Sequence, residues 1–165
     1  MTFSIVVRGR PAPQGSKRAV PRFKGKGPDK QLAGISQIEM SPNVKTWRSD
    51  VKDAAEKAIA DTGHVRFEGP VRVRMVFTWD RPKSVPRRKR LRPSTQPDLS
   101  KLCRATEDAL TDAGVWKDDA LVVEYSRLAE VFAGEDPEAM DVPGVRISVE
   151  EITEGEDDGR YRLTG

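Results

Sequence analysis

The sequence has little of what staples or metallates a small domain: among 165 residues there is one cysteine, Cys103, and one histidine, His64. A lone cysteine excludes an internal disulfide framework and fits a reducing compartment. Cys103 sits between Leu102 and Arg104 in a helical pattern, the setting of a small packed residue rather than a nucleophile. His64 lies in a glycine-flanked turn with no cysteine cluster, so a zinc site of the usual nitrogen and sulfur type is not expected. Aromatic residues make up 6% of the chain and are scattered, which argues against the aromatic strands of an RNA-binding sheet. No apolar run approaches the ~20 residues of a membrane helix. The N-terminus also lacks the apolar centre of a signal peptide. A soluble, cytoplasmic protein without an organic cofactor is the expectation.

What is abundant is charge. Charged residues are 33% of the chain and hydrophobic ones 36%, which predicts a modest core with long polar loops. The length suits one domain, read as residues 1–153, followed by an acidic flexible tail at 154–165. The net charge of +3 says little, but its distribution says more. Basic residues crowd Arg8 to Lys30 and Arg81 to Arg92, whereas Glu135 to Asp158 is mostly acidic. Such asymmetry favours a face that binds a polyanion. Lys17, Arg18, Arg87, Arg88, Lys89, Arg90 and Lys101 are the candidate phosphate contacts; the plainer alternative is that the runs are solvated loops.

Periodicity supplies the elements. Thr2 to Val7 reads as a strand, and Gly9, Pro11, Pro13 and Gly15 then open a long basic loop continuing to Met40. Ser41-Pro42 is a helix start signal, and Val44, Trp47, Val51, Ala54, Ala55, Ala58 and Ile59 recur at helical spacing as far as about Ala60. Pro70 to Trp79 alternates, with Val71, Val73, Met75 and Phe77 on one face and Arg72 and Arg74 on the other. Arg81 to Pro97 carries Pro82, Pro86, Pro93 and Pro97, so it is an extended loop. A second helix is predicted from Leu99 to Ala113, ending at Gly114 and capped by Asp98 or Ser100. Leu121 to Phe132 and Val142 to Ile152 read as strands. The predicted fold is α/β in the α+β sense: a small mixed sheet of about four strands, two helices packed on one face, and long basic loops.

The chemistry concentrates between Pro97 and Val123. Asp98 stands at the mouth of the second helix, Arg104 about two turns in, and Asp118-Asp119 just after the Gly114 turn. Carboxylates from a helix start and a strand start can hold a hard divalent cation, which takes oxygen ligands and often only one or two carboxylates with water and phosphate. An acidic set beside a basic run points to metal-assisted cleavage of a nucleic-acid backbone. Each residue also has a plainer role: Asp98 as a helix cap, Asp118-Asp119 as turn residues, Asp108 as an i+4 partner of Arg104, and Trp116 as a packed aromatic.

The block PDLSKLCRATEDALTDAGVWKDDALVV resembles the RusA-type Holliday junction resolvases of bacteria and their phages. The resemblance extends to the first strand with Gly9-Arg10-Pro11-Ala12-Pro13 and the basic loop, and to Trp47-Arg48-Ser49-Asp50-Val51. It implies a homodimeric, Mg²⁺- or Mn²⁺-dependent endodeoxyribonuclease that binds four-way junctions and makes paired symmetric nicks in recombination and repair. The setting implied is the cytoplasm of a bacterial or phage-infected cell. By the same resemblance Asp98 and Asp119 are catalytic metal ligands with Asp118 beside them. Arg104 replaces a functional lysine, keeping the charge with a different geometry.

One departure stands out. Ser100 occupies the place of the second acid in the family's D-x-D, and Lys101 that of the following asparagine. A serine cannot supply the missing negative charge. Glu107 or Asp108, on roughly the same helix face as Ser100 and Arg104, can compensate, and Asp108 joins Asp98 and Asp119 as a candidate metal ligand. The alternatives are a junction-binding relative with weak or no activity, and a basic RNA-binding module.

Overall fold

The computed structural model describes residues 1–15, 17–25, 31–39, 43–84, 86, 89, 91–95 and 97–153. The proposed tail at 154–165, the start signal Ser41-Pro42, and Arg87, Arg88 and Arg90 fall outside these. Among the described residues, six strands and two helices follow in the order β1 (Thr2–Arg8), β2 (Lys17–Lys24), β3 (Gln31–Glu39), α1 (Val44–Thr62), β4 (Val71–Trp79), α2 (Leu99–Ala113), β5 (Val122–Phe132) and β6 (Gly144–Glu151). A single 3₁₀ turn, Asp119–Leu121, precedes β5.

Four strands form a mixed sheet in the order β1-β6-β4-β5. β6 is antiparallel to both β1 and β4, whereas β5 is parallel to β4. A parallel pair needs a crossover, and the basic loop with α2 supplies it. The alternation predicted for β4 is present: Val71, Val73, Met75 and Phe77 are buried, as are Phe3, Ile5 and Val7 of β1 and Val145, Ile147 and Val149 of β6. They meet Trp47, Val51 and Ala55 of α1 and Leu102, Ala105, Ala109 and Leu110 of α2 in one core. Each buried Val, Leu, Ile, Phe or Met side chain contributes about 1.5–3 kcal/mol. The fold is α+β, as the sequence predicts.

Polar atoms within this core are satisfied. Trp47 Nε1 donates to Thr106 Oγ1 at 3.1 Å, and that hydroxyl donates to the Leu102 carbonyl at 2.9 Å, tying α1 to α2. Trp116 is 1% exposed and its Nε1 donates to Thr111 Oγ1 at 2.7 Å, so it is the packed aromatic of the plainer reading. His64 lies between the rings of Phe3 and Phe67, with Nε2 3.1 Å from the Val115 carbonyl oxygen.

Two expectations are corrected. The stretch from Gly9 to Met40 is not one loop: β2 and β3 pair antiparallel as a separate two-stranded ribbon. The pattern was hidden because β2 carries four cations and Pro21 without an apolar alternation, and a strand paired on one side only tolerates proline as an edge strand does. The second concerns the mouth of α2. Asp98 is the residue before the helix, yet its side chain makes no capping hydrogen bond.

Candidate active site

The Asp98 backbone is extended (φ −69°, ψ 130°), and its carbonyl accepts the first helical bonds from Lys101 and Leu102. Its carboxylate is released from capping and half exposed, with Oδ2 2.9 Å from Lys101 Nζ. It lines a cleft of about 430 Å³ with Arg10, Pro13, Asn43, Trp79 and Pro97. A neighbouring cleft of about 250 Å³ shares Arg10, Trp79 and Pro97 and adds Asp80 and Glu130. The Trp79 indole N–H donates to Glu130 Oε2 at 2.7 Å. Burial raises the Glu130 carboxyl above its ordinary pKa and the charge of Asp98 adds to this, while the Trp79 bond opposes it. Asp98 thus has a second carboxylate for company that sequence reasoning missed. Its signal was phase: Glu130 opposes Phe77 and Leu128 opposes Met75, so an acid stands on the core-facing side of β5.

Asp119 reaches its place because α2 stops sharply. Gly114 takes a left-handed conformation (φ 81°) that an L side chain rarely adopts, and its N–H returns to Leu110 and Thr111 carbonyls. The chain then doubles back through Trp116 to the 3₁₀ turn. There the two adjacent aspartates divide. Asp118 Oδ1 accepts from Ala120 N at 2.8 Å and so caps the turn. Asp119 is exposed, and among the described residues its carboxylate makes no hydrogen bond or ion pair.

Glu107 stands on the side of α2 that faces this turn. Its carboxylate accepts a hydrogen bond from the Tyr125 hydroxyl, which also lies 3.4 Å from Cys103 Sγ. Burial raises the Glu107 carboxyl above its ordinary pKa, the Tyr125 bond opposes this, and the charge of Asp119 adds to the rise. Asp108, one residue on, turns the other way. Its Oδ2 receives Arg48 Nη1 at 3.3 Å and Gln14 Nε2 at 3.2 Å, so its ion-pair partner is Arg48 of α1 rather than Arg104. Arg104 is exposed and, among the described residues, has no hydrogen-bond or ion-pair partner.

The acids therefore fall into two pairs along α2, Asp98 with Glu130 and Asp119 with Glu107, with about 13 Å of helix between residues 98 and 107. Among the described residues no three of histidine, cysteine, aspartate and glutamate group to hold a metal ion. Mg²⁺ ordinarily takes one or two carboxylates and fills the remaining positions with water and substrate phosphate. Two carboxylates with an open approach are compatible with such a cation.

Of the basic candidates, Lys17 and Arg18 are on β2, Lys101 is paired with Asp98, and Lys89 is exposed in the loop before α2. That loop is organised by Arg81, whose Nη2 donates to the Pro86 and Lys89 carbonyls at 2.7 and 2.8 Å and which pairs with Glu135. Arg72 and Arg74 face away from the helices and are engaged by carboxylates, Arg72 by Glu124 and Glu150 and Arg74 by Glu138. No helix of the described residues is long and apolar enough to cross a membrane.

A family model described as Endodeoxyribonuclease RusA matches residues 11–150 of the chain. No curated protein matches it.

Proposed function

Because the chain belongs to the RusA family of Holliday-junction-resolving endodeoxyribonucleases, we propose that it cuts four-way DNA junctions by paired symmetric nicks, as a metal-dependent homodimer. One observation carries the reading: Asp98 is spared from capping, and Asp119 and Arg104 have no hydrogen-bond or ion-pair partner among the described residues, while their neighbours Asp118 and Asp108 are engaged within the fold. Charged groups left available in this way are what phosphodiester chemistry uses.

Asp98, with Glu130 near it, and Asp119, with Glu107 near it, are the residues that would each offer a carboxylate to a Mg²⁺ or Mn²⁺ ion. When bound, such an ion supplies a more acidic water and neutralises charge on the phosphate. Arg104 offers its guanidinium to a non-bridging phosphate oxygen, where negative charge grows during cleavage. Lys101, already beside Asp98, adds a cation at the mouth of α2 for an incoming strand. The basic segments supply backbone contacts, which give affinity and register but carry no sequence information. Two nicks placed symmetrically require two sites, and a two-fold dimer matches a substrate of pseudo-two-fold symmetry.

A second reading, a binding-only relative, is favoured by one residue. Ser100 is exposed in the first turn of α2 and brings no charge. Glu107 and Glu130 argue for retained activity, since each places a further carboxylate beside a candidate ligand. The test is cleavage of a labelled four-way junction with Mg²⁺ or Mn²⁺ by wild type and Ser100→Asp. Paired nicks from wild type, changed less than about 10-fold by Ser100→Asp, support the nuclease. A wild type that binds without cutting, together with a cutting Ser100→Asp, supports the second reading.

A further inference from the structure

Among the described residues, the β2–β3 ribbon is a structural unit for which the core and the candidate site give no use. Its strands pair with each other and with no strand of the main sheet. A two-stranded hairpin standing alone is marginally stable in water. This one also exposes an apolar side: Phe23 is 56%, Leu32 63% and Ile35 70% accessible. Pro21 and Phe23, two residues apart, share one face of β2; Pro21 lies opposite Ile35 and, across a register shift between Arg22 and Phe23 that skips one residue of β3, Phe23 lies opposite Leu32, so the shift brings Leu32 and Ile35 to the same side as one patch. Arg22 and Lys24 alternate onto the other side. The ribbon is strongly cationic, with Lys17, Arg18, Arg22 and Lys24 on β2 against the single acid Glu39 on β3.

We propose that this ribbon is the arm that opens branched DNA: its apolar side seats on unstacked bases at the branch point while Arg22 and Lys24 hold the flanking phosphates. The inference rests on the junction-endonuclease reading and adds to it the element that engages the substrate's branch. Charge selects the occupant. Four cations along one strand favour a polyanion, whereas a protein partner covering the apolar side gains nothing from them. Shape agrees, since a two-stranded ribbon fits the DNA major groove. Apolar side chains inserted between bases are a recognised way to unstack and kink a duplex, and every base offers a face for an aromatic ring such as Phe23. Branch points are where stacking is already interrupted, so insertion there costs least.

The experiment uses the full chain and a four-way junction with 2-aminopurine at the branch point, in Ca²⁺ so that cleavage does not intervene. Wild type is expected to raise the 2-aminopurine fluorescence. Phe23→Ala, and separately the pair Leu32→Ser with Ile35→Ser, are expected to lose that rise and about 10-fold in junction affinity, with little change on duplex. Phe23→Leu keeps the patch but not the ring and should fall between. Arg22→Gln with Lys24→Gln should weaken both substrates and reduce the salt slope by about 2. These residues are exposed, and circular dichroism verifies that the core is intact. Junction binding and fluorescence equal to wild type in the apolar variants would overturn the proposal while leaving the nuclease reading in place. So would conversion of a wild-type dimer to monomers by those variants in light scattering, which would make the patch a subunit contact. A wild type that binds no junction would overturn both.

Discussion

At the scale of single residues, the division of labour between adjacent acids separates chemistry from architecture. Asp118 caps a turn and Asp119 does not; Asp108 shares Arg48 with Asp112, and Glu107 faces the Asp119 turn. Residue type and spacing could not tell these neighbours apart, because each pair has equal claim by sequence. What decides is the direction of the side chain, fixed by the phase of α2 and by the 3₁₀ turn. The same cluster predicts an inert thiol. Burial is the main reason that the Cys103 pKa is pushed up to about 12, with Glu107 adding to the rise and the Tyr125 bond opposing it. Its thiolate is therefore scarce at neutral pH. A disulfide reagent should modify native protein at least about 100-fold more slowly than protein in denaturant. Equal rates would show that the α2–β5 contact opens readily.

At the scale of elements, both helices and all four strands of the main sheet were legible in the sequence. Each has a period that burial enforces, from Phe3, Ile5 and Val7 in β1 to Leu102, Ala105 and Ala109 in α2. The ribbon was not legible, since its described side chains, 20–25 and 31–35, are exposed or half-buried and follow no apolar alternation. Glu130 was missed for a related reason: an acid on the core side of a strand is visible only once register is known. The segment after β5 holds a network that sequence also hid. Arg127 bonds Asp136 at 2.5 and 3.1 Å and pairs with Glu138, which Arg74 also engages at 2.6 Å. The Arg127 bond holds the Asp136 carboxyl below the usual carboxylate range, and the Arg74 bond does the same for Glu138. Both groups bind protons less readily folded than unfolded, so their stabilisation is present above ordinary carboxylate pKa values and is lost as pH falls through them. Glu138→Gln should cost on the order of 1 kcal/mol at pH 7, and its stability deficit should shrink below about pH 4. Melting temperatures from pH 7 to 3 check this; a deficit that persists undiminished in acid would assign the cost to packing.

At the scale of the whole molecule, a mixed sheet places both helices on one face, and the candidate acids flank α2, Asp98 before it, Glu107 on it, Asp119 after it and Glu130 on β5. The clefts around Trp79 lie at one end of that helix and the Asp119 turn beside its C-terminal half, while the cationic ribbon is a separate unit. The candidate site was legible as a set of residues, Asp98, Arg104 and Asp119, but not as an arrangement, because the sequence places both acids near α2 without saying that each has a different carboxylate beside it. The proposed function then rests on which charged groups stay available among the described residues rather than on any single motif.

The measurement that bears most directly on this account compares wild type with Asp119→Asn on one labelled four-way junction, scoring Mg²⁺-dependent nicking and binding in the same series. Paired nicks are expected from wild type, with a loss of at least about 100-fold in cleavage rate for the variant and junction affinity within a few-fold of wild type. Undiminished cleavage by Asp119→Asn, or loss of binding together with cutting, would contradict this.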